Sequence, residues 1–266
     1  AALCARSRAH SVEELEAYTN RLLLDWYLAR QAGRIGAAAQ RALLYEVSVT
    51  PKPGLVDRNN SGAHRDMDFF TFLDSICALG GYFRACARWG LTHPETPARQ
   101  VLAELQTLGM CAEGEMYRAT GGVNTHKGAI FSLGILCAAA GMLAAAGQAP
   151  SDDALGALAG EIAAPALGGL GAGAETAGQA AFRAHGLTGA RGEAASGFRR
   201  EREELTALRA LLAEGRSLND ALALVLLRLI ARAEDTNIVK RRGRERLDQV
   251  HREAEELLAG EGPSWE

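Results

Sequence analysis

The sequence predicts an all-α fold: one multi-helix globular domain over residues 1–266 with an Ala/Gly-rich helix buried at its centre. Three observations carry this. Apolar residues recur at spacings of three and four through most of the chain, which is the period of a helix with one buried face. No segment sustains the alternation of a half-buried strand. The run Gly128 to Gly147 holds no charge at all, as expected of a helix enclosed on every side.

In chain order, the spacing predicts helices over Val12–Arg30, Gly36–Val47, Asp68–Trp89, Pro97–Ala119 and Gly128–Ala146. Further helices are expected over Asp152–Leu167, Glu175–His185, Arg200–Glu214, Ser217–Ala233 and Arg244–Ala259. Ser217 stands before a strongly apolar run, where its hydroxyl suits an N-cap. Leu167-Gly-Gly-Leu-Gly-Ala-Gly-Ala174 reads as a flexible connection, but its flanks share one composition, so a single domain is expected. Gly128–Gly147 has the length of a membrane span; its few large aliphatics favour a buried core helix, and no membrane association is expected.

Composition narrows the function. A formal net charge of −3 does not suit a general nucleic-acid binder, whose phosphate contacts need a broad basic surface. Five cysteines with no Cys-x-x-Cys pair, mostly inside apolar runs, suggest reduced core thiols in a cytoplasmic protein. No basic start followed by an apolar core marks a secretory signal, and Ala1 suggests a trimmed or engineered start. Of 29 basic residues only three are lysine: Lys52, Lys127 and Lys240. In a chain that otherwise uses arginine, these are places where a compact ammonium is chemically wanted.

All three lysines fall in motifs that carry chemistry. Thr50-Pro-Lys-Pro-Gly-Leu-Val-Asp57, continuing through Asn59 to Asp68, is an ordered loop holding Lys52, Asp57, His64 and Asp66. Asp66 or Asp68 can also cap the next helix. Ala119-Thr-Gly-Gly-Val-Asn-Thr-His-Lys-Gly128 leads into the uncharged helix. There Gly121 and Gly122 free the backbone to turn amides toward an anion, and Lys127 adds a charge at the helix's positive end. Asn124, Thr125 and His126 complete this phosphate site in outline. It lacks the P-loop order and a preceding strand. Glu113, Tyr117 and Thr120 share a helix face just before it, which places a carboxylate near the phosphates.

Gly189-Ala-Arg-Gly-Glu-Ala-Ala-Ser-Gly197 reads as a Gly-punctuated turn holding Arg191, a two-point clamp for phosphate or carboxylate, and Glu193. Read as structure alone, these two form a surface ion pair. Glu234-Asp235-Thr-Asn237-Ile-Val-Lys-Arg241-Arg-Gly243 again sets acid beside base, as a solvated helix end also would.

Together, these motifs resemble the signature set of the triphosphoribosyl-dephospho-coenzyme A synthase family, in the family's order and over most of the chain. The segments that carry the resemblance are Thr50–Asp57, Gly62-Ala-His-Arg-Asp-Met67, Gly121-Gly-Val-Asn-Thr-His-Lys-Gly128, Gly189-Ala-Arg-Gly-Glu-Ala194 and Asp235-Thr-Asn237. The resemblance implies an all-helical enzyme that converts ATP and 3′-dephospho-coenzyme A into adenine and 2′-(5″-triphosphoribosyl)-3′-dephospho-coenzyme A. That product is the prosthetic-group precursor of citrate lyase or malonate decarboxylase, handed on to a transferase acting on the acyl carrier protein. Two departures stand out. The family's usual Arg-Gly-Gly is Arg241-Arg242-Gly243 here, and its later Ser-Pro-Gly-Gly-Ser-Ala-Asp segment falls beyond residue 266.

For this reaction the triphosphate is a handle, and gathering its charge calls for Mg²⁺ with a few carboxylates. Asp66 and Asp235 are the expected metal-directed carboxylates. Lys52, Lys127, Arg191 and Arg241 are directed at phosphates, with Gly121, Gly122, Asn124, Thr125, His126 and Asn237 completing the substrate contacts. Attack by a 2′-hydroxyl at an oxocarbenium-like carbon needs a base and a proton donor, for which Glu113, Asp57 and Glu193 are candidates and His64 or His126 can act as acid. A Mg²⁺-dependent helical nucleotide hydrolase would want the same groups, and a helical adaptor for the carrier protein would need none of this chemistry.

Overall fold

The computed structural model describes residues 11–168, 188–235, 238–239 and 242–260. Among them every regular element is helical, and no strand forms. The helices are α1 (Val12–Ser48), α2 (Phe69–Thr92), α3 (Ala98–Ala119), α4 (Lys127–Ala145), α5 (Asp152–Ala163), α6 (Pro165–Gly168), α7 (Gly189–Ala195), α8 (Arg199–Ala213), α9 (Leu218–Ile230) and α10 (Arg244–Ala259).

The main core is built around α2, which packs against α1, α3 and α4. Ile76, Leu79, Phe83 and Cys86 of α2 meet Val47 of α1, Val101 and Met116 of α3, and Ile135 and Ala138 of α4 within one buried cluster. Helix α4 is the expected Ala/Gly-rich helix. It is long and apolar enough to cross a membrane, and nine of its residues are buried within the fold. Its small residues set the packing: a methyl on Gly90 of α2 would strike the carbonyl of Ala138, and one on Gly141 would strike that of Ala87. The two backbones therefore approach more closely than any larger pair allows. Helices α8, α9 and α10 add a smaller layer. It is tied to the main core by Asn219 at Thr50 and by Arg202 and Arg209 at Asp153 and Asp152.

The caps agree with the reading of the sequence. Ser217 accepts the amide of Asp220 at 3.1 Å, and Asp68, rather than Asp66, closes a capping box with Thr71 at the start of α2. Three elements differ from expectation. The two N-terminal helices are one, because Gln31–Ile35 stays helical while Gly36 packs 2.8 Å, measured from where a Cβ would lie, from the Arg84 backbone nitrogen. The helix expected to run to Leu167 breaks at Ala164, and Pro165, which has no N–H to continue the ladder, begins the short α6. Gly189–Ala195 is a helix rather than a turn, with Gly192 set where a methyl would strike Thr188. The connection expected from Leu167 to Ala174 lies, past Gly168, outside the described residues, as do the helix expected at Glu175–His185 and the residues Asn237, Lys240 and Arg241.

Candidate active site

The Thr50 loop is organised by one carboxylate. Asp57 is 1 % exposed. Its Oδ2 accepts the Thr50 hydroxyl at 2.7 Å and the Lys52 amide at 3.1 Å, and its Oδ1 accepts the Asn59 and Asn60 amides at 2.8 and 2.9 Å. Burial pushes its pKa up, but these four donors outweigh burial and hold it below the ordinary value. A carboxylate so fully engaged is a poor proton carrier. In this structure Asp57, expected as a base or acid, organises the loop. Thr50, which enters the loop through a cis bond to Pro51, is held from outside as well: Asn219 of α9 accepts its amide and donates to its carbonyl, at 3.1 and 2.7 Å.

This arrangement points Lys52 inward. Its side chain is 2 % exposed, and its Nζ bonds Oε1 of Glu46, on the last turn of α1, at 2.5 Å. His64 and Asp66 lie further along the loop with 3.6 Å between Nδ1 and Oδ1, and the Asp66 side chain faces solvent.

The glycine loop runs from α3 into α4. Gly121 and Gly122 take φ of 63° and 93°, the left-handed region that glycine enters freely, and the chain then turns into α4. Asn124 Oδ1 accepts the Lys127 amide at 3.3 Å. The amides of Gly128 and Ala129 remain at the helix mouth with no protein acceptor among the described residues. Lys127 Nζ bonds Glu113 Oε2 of α3 at 2.7 Å, so the carboxylate expected beside the glycine loop stands there.

His126 closes the glycine loop against α2. It is buried, edge-on to Phe72, and its Nδ1 lies 2.8 Å from the Ser75 hydroxyl of α2. Thr125 bonds that same Ser75 oxygen at 2.7 Å. Nε2 is buried and without a partner. Burial, and then the nearby charge of Lys52, lower the His126 pKa to about 4, so the ring is neutral at pH 7.

The third and fourth motifs meet elsewhere. Glu193 of α7, Arg199 and Arg200 of α8, and Arg232 and Glu234 beyond α9 line a cleft of about 430 Å³. Glu193 bonds Arg200 at 3.0 Å, while burial, followed by the charge of Glu201, raises its pKa. Arg191 sits half-buried on the same short helix. Asp235 accepts the Ile238 amide at 3.2 Å. It follows the C-terminal end of α9, which lies about 16 Å along the helix axis from Asn219. Asn237 and Arg241 fall outside the described residues.

Sequence reading missed Glu46, Ser75, Asn219 as the clasp of Thr50, and Glu204, a buried carboxylate 2.5 Å from Arg228. Ser75 alone left a signal: a hydroxyl on the stripe that includes Leu79, Phe83 and Cys86.

The all-helical scaffold thus sets Lys127 and the Glu113 carboxylate together at the open N-terminus of α4, and buries Lys52 against Glu46. Residues 32–266 match the family described as ATP:dephospho-CoA triphosphoribosyl transferase, and the chain belongs to that family and is a transferase. A relative from Pectobacterium atrosepticum named 2-(5″-triphosphoribosyl)-3′-dephosphocoenzyme-A synthase is 45% identical over 224 residues, 82% of this chain and 74% of the relative. Proteins carrying the same name with the word "probable" are 45% identical in Pectobacterium carotovorum, over the same shares, and 44% in Albidiferax ferrireducens, over 86% of this chain and 78% of the relative. No solved structure matches the chain significantly.

Proposed function

We propose that the chain joins ATP to 3′-dephospho-coenzyme A, releasing adenine and forming 2′-(5″-triphosphoribosyl)-3′-dephospho-coenzyme A. The observation that carries this is Lys127, paired with Glu113 at 2.7 Å, at the open N-terminus of α4; the buried Lys52, whose charge acts on the His126 ring, supports it. The triphosphate is held by Lys127, the open amides of α4 and Lys52. Both lysines are paired with carboxylates, Glu113 and Glu46, that phosphate oxygens can replace. Once Lys127 turns to the phosphates, Glu113 is freed to take the proton of the attacking 2′-hydroxyl. His126, neutral at pH 7, offers a hydrogen bond rather than a charge. Glu193, the other carboxyl expected to serve as acid or base, is paired with Arg200 in a cleft that none of Lys52, Glu113, His126 and Lys127 lines.

Magnesium fits as an ion carried in on the nucleotide. Among the described residues no three His, Cys, Asp or Glu side chains gather into a cage, and Mg²⁺ needs only one or two carboxylates beside waters and phosphate oxygens. Exposed Asp66 suits that role, and Asp235 is the second carboxylate the sequence offers. The ion would neutralise charge between the phosphates. Of the cysteines expected in the core, Cys86 and Cys137 are buried whereas Cys77 and Cys111 are exposed; all four are free thiols, which suits a reducing compartment such as the cytoplasm. The product would pass to a transferase serving the acyl carrier of citrate lyase or of malonate decarboxylase.

Incubation with ATP, Mg²⁺ and dephospho-coenzyme A, followed by mass analysis, tests the proposal. Adenine and the triphosphoribosyl product should appear together and only with acceptor present. Free phosphate instead would mean a hydrolase, and acceptor-independent adenine a nucleosidase. Coenzyme A, whose 3′-phosphate adds about −1.5 to −2 charge beside the nucleophile, should be the poorer acceptor.

A further inference from the structure

Helix α1 is longer than the helix it packs on. Its 37 residues span about 55 Å, against about 36 Å for the 24 residues of α2. Arg88, near the C-terminal end of α2, reaches Asp25 at 3.3 Å, so α1 upstream of Asp25 overhangs. The inner stripe of α1 is Ala32, Gly36, Ala39, Leu43 and Val47. At 100° per residue, the opposite face carries Glu16, Leu23, Tyr27, Arg30 and Arg34, flanked by Trp26. Solvent-facing helix sides are normally polar. Here Leu23 and Trp26 are each 59% exposed and Tyr27 45%, side by side, and Leu22 (47%) and Leu24 (57%) widen the apolar surface to the flanks of the helix.

The charges around this patch select its occupant. Glu16 lies seven residues before Leu23 and Arg30 seven after, all on one stripe. Arg30 is held to that face by stacking over Trp26 at 5.3 Å. A second copy laid antiparallel, with the two-fold axis at Leu23, sets each Glu16 against the other copy's Arg30 and closes the apolar patch on itself. A parallel copy would set like charges together. The patch precedes residue 32, where the family match begins, so it stands apart from the body shared with the family.

We propose that this chain forms a homodimer through the outward face of α1, antiparallel about Leu23. Sedimentation of the full chain over a dilution series should show twice 28.2 kDa, falling to one chain at low concentration. Leu23→Glu, at an exposed position, should weaken the dimer at least tenfold, about 1.4 kcal/mol. Glu16→Arg should weaken it too, and Glu16→Arg with Arg30→Glu should restore it, because the swapped charges again face opposites. Helical content by circular dichroism and adenine release per chain should stay unchanged in all three. One-chain mass at every concentration, a dimer indifferent to Leu23→Glu, or failure of the double swap to rescue would each overturn the proposal. So would a lone chain whose Leu23 segment resists hydrogen exchange, since another part of the chain would then cover the patch.

Discussion

Replacing Asp57 by Asn separates a loop-holding carboxylate from a catalytic one. Each carboxylate oxygen accepts two close donors, Thr50 and Lys52 at Oδ2 and the Asn59 and Asn60 amides at Oδ1, with the Asn60 side chain a longer 3.4 Å from Oδ1. An amide has one oxygen and one NH₂, so in either orientation one pair of donors faces a donor. Two charge-assisted hydrogen bonds at roughly 1.5–3 kcal/mol each are lost, about 3–6 kcal/mol in all. The better orientation turns NH₂ toward Thr50, whose hydroxyl can rotate to accept. That lowers the expected cost to roughly 2–4 kcal/mol, still a large part of the ~5–15 kcal/mol that holds a typical domain.

Urea unfolding should report a lower midpoint, and the amides of Lys52, Asn59 and Asn60 should exchange faster. The sign of the pH dependence follows from the lowered folded-state pKa. The stabilisation is fully present above the ordinary value of 3.8 and is lost as pH falls through the lower folded value. The mutant should therefore lose the part of the acid unfolding that this group contributes. A mutant with wild-type midpoint and wild-type exchange but no turnover would refute the reasoning and return Asp57 to the chemistry.

Other outcomes follow from the same geometry. Glu113→Gln should keep ATP binding while turnover falls ~10²–10⁴-fold, and wild-type turnover by the folded mutant would remove Glu113 from the mechanism. Lys127→Ala should weaken ATP in calorimetry yet leave dephospho-coenzyme A, which has no triphosphate, bound as before; unchanged ATP affinity contradicts the phosphate assignment. Nitrogen NMR of His126 should show a neutral ring from pH 8 down to about 5, since its pKa lies near 4, whereas titration near 6.5 would mean the ring is not buried beside Lys52.

Much of the scaffold is legible in the sequence because its information is local. Spacings of three and four locate α2, α3, α4, α8, α9 and α10, and a hydroxyl or carboxylate before an apolar run marks the starts of α9 and α2. The rarity of lysine singled out Lys52 and Lys127, and the glycine loop located the mouth of α4. The N-terminal break was misread for the opposite reason. Gly33 and Gly36 look like a gap between two helices, but Gly36 is small so that α1 can lie against the backbone of α2.

By itself, then, the sequence determined an all-helical chain, the two loops proposed to carry the chemistry, and the family they resemble. What surrounds each acidic group was decided only by the tertiary structure. Asp57 and Glu113 look alike in sequence, each a carboxylate near a lysine and glycines. Folding surrounds Asp57 with four donors from its own loop and gives Glu113 a single exposed ammonium. Likewise Ser75 meets His126 across 51 residues and Asn219 meets Thr50 across 169. A carboxylate's availability depends on how many donors the fold brings to it and how much water it leaves, and periodicity along one helix encodes neither.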